Sequence, residues 1–343
     1  MIIFADMTSD ARPETQIWKS KLAGVRTVYT HANCPDGYAS AVIVVAAYKC
    51  KGLRATQEVP DVVFVDYKEI NDIEPHPGAM FVDMCPRNQL EKWAEVDPII
   101  LDHHETSLKG LLAANASLKE SRSPFLFDSV RGEESKEVCG AILALEHVFC
   151  YLVPRSDSYK TGMDYEGWGR LASLSNVRDN WLTGDPQWEY ALQLAEGFRL
   201  YGHNVLQWVY DGTFAYSELL HTGKYLYERK TRVYGEILAG GIQKSVKGAS
   251  VVFAQTYDAS DFSEWCRREH GVDITFSIGY SLSLDEARVS LRTNDLYPIA
   301  AKFCEMHGGG GHPPAAGCNI KLEGRSLLEL VEQLSQELVP YCS

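Results

Sequence analysis

Between residues 25 and 183 short apolar runs end in polar or charged residues and alternate with stretches of helical character. The runs are 25–30 (VRTVYT), 62–65 (VVFV), 80–82 (MFV), 99–101 (IIL) and 124–127 (PFLF), and the helical stretches include 38–48, 89–95 and 137–153. Strands that are apolar at consecutive positions are covered on both faces, and strands alternating with helices build parallel sheets. The pattern predicts an α/β N-terminal domain whose mostly parallel sheet carries helices on both faces.

Near Gly184 the texture changes. Leu219, Leu226 and Val233 recur at sevens, as do Leu220, Tyr227 and Tyr234, which predicts one apolar stripe along a helix over 217–238 that Gly240-Gly241 lets end. Trp181, Trp188, Tyr190, Trp208, Tyr210, Phe214 and Tyr216 make this part rich in aromatics, and rings at helical spacing serve packing. Farther on, 249–254, 273–278 and 287–292 read as strands and 297–306 as a helix, while Ser326 with Glu329 forms a capping box ahead of a last helix over 327–338. The expected division is an N-terminal extension (1–24), the sheet domain (25–190), a helical linker (191–245) and a smaller C-terminal α/β domain (246–343).

Composition narrows the function. The chain has 343 residues, 45% of them hydrophobic and 23% charged, which suits about two folded domains and excludes disorder and coiled-coil arrays. Its formal charge of -13 speaks against gripping long duplex nucleic acid by phosphate neutralisation, but a small phosphorylated substrate stays open. The nine cysteines are scattered, with no C-x-x-C pair, which fits a reducing interior. No apolar run has the roughly 18 residues of a membrane span, and no basic stretch precedes the short apolar patch in 1–9. A cytoplasmic protein without membrane partners is expected, and a homodimer is compatible with the sequence.

The chemistry sits where the apolar runs stop, and α/β sheets place their ligands at the carboxyl ends of their strands. His31-Ala-Asn-Cys34-Pro-Asp36-Gly37 follows the first run, and imidazole with carboxylate suits manganese, iron or zinc. Asp83 closes the third run, where a charge must reach water, a partner or a metal. Asp102-His103-His104 closes the fourth; adjacent side chains diverge, so one histidine can ligate metal while the next faces substrate. Asp179, late in a helical run, could add a carboxylate or pair with Arg178. Finally, Gly308-Gly-Gly-Gly311-His312 exposes backbone N–H groups suited to an anion such as phosphate.

These residues resemble the DHH phosphoesterases that carry a DHH-associated C-terminal domain, a family with nanoRNase- and oligoribonuclease-like members. Asp102-His103-His104 matches the naming motif, 31–40 the first motif, Asp83 the second and Asp179 the fourth, while Gly309-Gly-Gly-His312 with Ala315-Ala316-Gly317 is similar to the C-terminal signature. The resemblance covers about residues 25–335 and implies two divalent ions, usually manganese, held by His31, Asp36, Asp83, His103 and Asp179 in a cleft between the domains. It further implies that His104 contacts the scissile phosphate or leaving group, that Asp102 orients its neighbours, and that Arg292, Gly309, Gly310, Gly311 and His312 bind the substrate's other end.

Many members carry D-x-D in the first motif, whereas this chain has one aspartate there. Either Cys34 stands at the first aspartate or Tyr38 at the second, and in the former case Cys34 joins the candidate metal ligands. The expected activity is hydrolysis of short oligoribonucleotides or of linear or cyclic dinucleotides. The alternatives are a phosphomonoesterase of 3′-phosphoadenosine 5′-phosphate, an exopolyphosphatase, and a nucleotide-binding regulatory protein with weakened catalysis.

Overall fold

The computed structural model describes residues 13–50, 58–117, 138–154, 158, 163–256, 258–280 and 285–342. The expected strand at 124–127 and the apolar patch in 1–9 lie outside these residues. The chain divides into two compact units, Met1–Tyr227 and Glu228–Ser343.

In the first unit the strands are β1 (Thr27–His31), β2 (Asp61–Val65), β3 (Ala79–Val82) and β4 (Ile99–Leu101). They form one parallel sheet in the order β2-β1-β3-β4. Its helices are α1 (Pro13–Ala23), α2 (Pro35–Lys49), α3 (Leu90–Ala94), α4 (Glu105–Ser117), α5 (Gly140–Ala144), α6 (Cys150–Leu152), α7 (Tyr165–Asp179), α8 (Trp188–Tyr201) and α9 (Val205–Asp211). Successive strand residues face opposite ways, as the pleat requires. Val28, Met80, Val82, Ile99 and Leu101 join a core with α2, α5, α7 and α8, whereas Tyr29, Phe81 and Ile100 join a second core with Trp93 of α3 and Leu111 of α4.

Helix α2 explains why the sheet face is so dry. Pro35 sits in its first turn, where the missing N–H costs nothing, and every residue from Asp36 to Tyr48 is buried. A helix that is apolar all round belongs inside a core. Residues expected in an extension and a linker are part of this same core: Trp18 and Leu22 of α1, Leu194 and Phe198 of α8, and Val205 and Val209 of α9.

Helix α10 (Tyr216–Gly240) runs across the division between the units. Leu219 and Tyr234 are buried and Val233 is 44% exposed, so the stripe follows the Leu220–Tyr227–Tyr234 row at the helix end. Seven residues fall about 20° short of two full turns, which rotates one of two heptad rows off the buried face.

The second unit contains β5 (Ile242–Val246), β6 (Ala249–Ala254), β7 (Ile274–Tyr280), β8 (Glu286–Thr293), β9 (Gly310–His312) and β10 (Ala315–Lys321), a mixed sheet ordered β5-β6-β7-β8-β10-β9. Helices α11 (Ala259–His270), α12 (Ala300–Glu305) and α13 (Leu327–Leu338) cover it. Val251 and Phe253 face α12 and α13, while Val252 and Ala254 face α11. The capping box is present: the Ser326 hydroxyl accepts from Glu329 N at 3.3 Å, and Ser326 N donates to the Glu329 carboxylate at 2.8 Å.

Candidate metal centre

In the first sheet β1 lies beside β3, yet the chain leaves β1 for β2 on one side and returns to β3 on the other. Such a reversal opens a crevice at the carboxyl ends of the two strands. His31 ends β1, Asp83 follows β3 and Asp102-His103-His104 follow β4, so topology brings the first three motifs to one edge. Asp83 adopts φ 63°, a left-handed conformation uncommon for a residue with a side chain. Its N–H donates to Leu101 O at 2.9 Å, and its carboxylate is 1% exposed.

Asp36 is anchored from the other side. Its two carboxylate oxygens accept from Gly140 N at 2.7 Å and Ala141 N at 3.0 Å, the first residues of α5. Gly140 has to be glycine: a Cβ there would meet Asp83 Cβ at 2.6 Å and Asp36 Oδ2 at 2.8 Å. Asp179, the last residue of α7, supplies a carboxylate from a third direction.

Three overlapping groups of ligand atoms result. Those of His31, Cys34 and Asp83 lie within 4.8 Å of one another, as do those of Asp36, His103 and Asp179, and those of Asp83, Asp102, His103 and His104. His103 Nε2 stands 3.2 Å from Asp83 Oδ1 and 3.3 Å from Asp179 Oδ2, and His31 Nδ1 stands 3.9 Å from Asp83 Oδ2. Asp83 and His103 thus link the groups. Tyr38 turns into the core with its ring 5.0 Å from Phe64, whereas Cys34 lies beside His31 and Asp83.

The electrostatics of the protein alone are unfavourable. Burial, with the charges of Asp179 and Asp102, pushes the Asp83 carboxyl well above its usual value, and burial with the charges of Asp83 and Asp179 does the same to Asp36. Burial and these aspartates also push the Cys34 thiol up. Among the described residues, buried Asp83 Oδ2 has no hydrogen-bond partner. Buried carboxylates with an unmatched oxygen, set beside imidazoles and a thiol, are a donor set that fits divalent cations.

Asp102 is turned differently. Its Oδ1 accepts from His103 N at 2.9 Å and from His104 Nδ1 at 2.7 Å. Burial alone would raise this carboxyl, but the hydrogen bond and charge of His104 outweigh it and hold Asp102 below its usual value. The ionised oxygen therefore assigns the Nδ1 proton to His104. On the opposite nitrogen, the Tyr67 hydroxyl lies 3.1 Å from His104 Nε2, and its ring centroid is 4.4 Å from that of His31. Burial and the surrounding carboxylates push the Tyr67 hydroxyl well up, so it stays a donor.

Tyr67, Gly140 and Ala141 were not singled out in the sequence. Tyr67 lies two residues beyond β2, so the rule that picked out the other strand ends would have found it. Gly140 and Ala141 sit inside a predicted helix, where nothing in the local pattern points to Asp36.

The second unit holds the remaining candidates. Arg292, on β8, donates to Leu291 O at 3.1 Å and to Ser260 Oγ at 3.1 Å. The glycine stretch is more ordered than an open loop: Gly310–His312 form edge strand β9, paired antiparallel with Ala315–Gly317, and Gly309 N donates to Cys304 O at 2.9 Å. Gly311 has φ +149°, and a Cβ there would lie 2.6 Å from Ala316 Cα. The edge strand is exposed, so one row of its backbone groups faces outward.

No protein-family model matches the chain, and no curated protein matches it by sequence. Solved structures do. The chain is similar to the pGpG-specific phosphodiesterase PggH from Vibrio cholerae, with TM-score 0.56 and 14% identity over 91% of this chain and 99% of that one. It is also similar to a DHH domain described as a member of the s1p family of ribosomal proteins, with TM-score 0.56 and 12% identity over 95% of this chain and 89% of that one. RecJ from Thermus thermophilus in complex with Mn2+ matches with TM-score 0.50 and 13% identity, over 96% of this chain and 54% of that one. The fold is that of the DHH phosphoesterases, and a buried Asp/His cluster forms a candidate metal site within it. No helix among the described residues is long and apolar enough to cross a membrane.

Proposed function

We propose that this protein is a metal-dependent phosphodiesterase of short nucleotide substrates, namely short oligoribonucleotides and linear or cyclic dinucleotides. The observation that carries the reading is the set of overlapping ligand groups sharing Asp83 and His103 at the carboxyl edge of the parallel sheet. The likeness in fold to a pGpG-specific phosphodiesterase, over nearly the whole of both chains, supports a dinucleotide-sized substrate.

His31, Cys34 and Asp83 would hold one ion and Asp36, His103 and Asp179 a second, with Asp83 shared; manganese is the expected metal, as in the RecJ complex. When bound, two such ions would polarise a phosphoryl oxygen and offset the carboxylate charge. Asp36 is kept in place by the Gly140 and Ala141 N–H groups, and Asp102 holds His104 by Nδ1 at the half-exposed rim. His104 contacts the reacting phosphate or leaving group. Arg292, Gly309, Gly310, Gly311 and His312 of the second unit are the candidates for binding an anionic group of a nucleotide, and charge is not the obstacle it first suggests: two divalent cations would bring -13 to -9.

The test is incubation of pure protein and manganese with linear and cyclic dinucleotides, 3′-phosphoadenosine 5′-phosphate, polyphosphate and a long single strand. Release of mononucleotides from dinucleotides is expected. Free phosphate without mononucleotide would replace the reading with a phosphomonoesterase or exopolyphosphatase. Preference for the long strand, or nucleotide binding without turnover across several metals, would overturn it.

A further inference from the structure

Tyr67 stands in the metal centre with no part in the roles assigned above. It follows β2, at one edge of the described sheet, whereas His104 follows β4 at the other. Two strands lie between, and at the usual interstrand spacing β2 and β4 are roughly 14 Å apart. Tyr67 and His104 meet across this gap beside His31, with the Tyr67 ring centroid 4.4 Å from the His31 ring and its hydroxyl 3.1 Å from His104 Nε2.

His104 is thereby held at both nitrogens by groups from different strand ends. Asp102 takes Nδ1 at 2.7 Å from beneath, where it is 0% exposed, and Tyr67 takes Nε2 at the rim, where the His104 side chain is 37% exposed. In the neutral imidazole that donates its Nδ1 proton to Asp102, Nε2 has a lone pair in reach of the tyrosine O–H. A flip of the ring would break both bonds at once. The imidazole's orientation and tautomer are set together in the substrate-free protein, at the half-exposed face where a bound substrate would take the place of the tyrosine hydroxyl at Nε2.

We propose that Tyr67 is a positioning residue with two separable parts: its hydroxyl orients His104 for phosphoester cleavage, and its ring packs on His31 to hold that residue among the metal ligands. The cleavage part rests on the phosphodiesterase reading. The hydrogen bond and the packing do not, and they can be read without turnover.

The experiment compares the full chain with Tyr67→Phe and Tyr67→Ala. In metal-free protein labelled with 15N-histidine, Tyr67→Phe should shift the His104 Nε2 resonance toward that of an unbonded nitrogen while the Nδ1–H tautomer persists. Manganese calorimetry should give the Phe variant wild-type affinity, because the ring stays over His31, and the Ala variant about 10-fold weaker binding. On a dinucleotide that the wild type cleaves, Tyr67→Phe should lose about 10- to 100-fold in kcat with KM little changed. An unmoved Nε2 resonance, an unchanged kcat or lost manganese affinity in the Phe variant would each overturn the assignment. If wild type cleaves no phosphoester offered, the phosphodiesterase reading falls, and the nitrogen spectrum and calorimetry still decide whether Tyr67 holds His104 and His31.

Discussion

Replacing Asp83 by Asn should make the metal-free protein more stable and the metal-loaded protein less so. Ligand oxygens of Asp83 and Asp102 lie within 4.8 Å, and at an effective dielectric of about 20 two like charges at that distance repel by about 3–4 kcal/mol. At a pH high enough to ionise the raised Asp83 carboxyl, asparagine removes this repulsion and the cost of burying a charge, but weakens the hydrogen bond with His103 Nε2 by about 1–2 kcal/mol. The net gain is about 2 kcal/mol, or about 4–8 °C in Tm for a unit of this size. Manganese at a hundredfold excess over its Kd should add about 2.7 kcal/mol to the wild type and little to the variant, which lacks the shared ligand. Scanning calorimetry of both proteins, with chelator and with manganese, should therefore show the order of Tm values inverting. A metal-free Asp83→Asn protein that melts below metal-free wild type would refute the account of the site as a cluster of uncompensated buried charges.

The same electrostatics sets a pH dependence. Because the Asp36 and Asp83 carboxyls are raised in the folded state, folding takes up protons, and metal-free wild type should gain Tm as pH falls from 7 toward roughly 4, the ordinary carboxylate value, with a shallower slope in Asp83→Asn. Gly140→Ala should overpack the site by about 1–3 kcal/mol and displace Asp36, so titration calorimetry should show weakened metal binding even where the protein still folds. Cys34→Asp, which restores a D-x-D pattern, should raise manganese affinity and lower zinc affinity in competition titrations, since a thiolate favours the softer ion. Ser326→Ala should cost about 1 kcal/mol by removing the α13 cap and leave metal binding unchanged, as the residue lies in the second unit.

Much of the fold was legible because it follows from local pattern. The four described strands of the first sheet fall within two residues of the apolar runs, and the capping box at Ser326 opens its helix as expected. Boundaries set by long-range packing were not legible. Residues 191–211 read as part of a linker, but Leu194, Phe198, Val205 and Val209 bury themselves in the first core, which no property of that segment alone announces. The glycine stretch reads as an anion nest, and its pairing with Ala315–Gly317, which makes Gly310–His312 an edge strand, is not legible in that pattern. Of the candidate metal centre, residue types at strand ends showed His31, Asp83 and His103, with Asp36 opening a helix and Asp179 closing one, and their convergence within 4.8 Å in overlapping groups needed the tertiary fold.

Sequence by itself determined the chemistry on offer: aspartates and histidines where apolar runs stop, a cysteine two residues ahead of Asp36, and a formal charge of -13. Only the tertiary structure decided which of these groups share a site. It sent the Tyr38 ring into a core between Phe64 and Phe198 and left Cys34 beside His31 and Asp83. It also recruited Tyr67 and the Gly140-Ala141 backbone, which approach His104 and Asp36 from elements distant along the chain. The physical reason is that a side chain's identity is local, whereas its desolvation, its like-charged neighbours and its hydrogen-bond partners are set by whatever the rest of the fold packs against it.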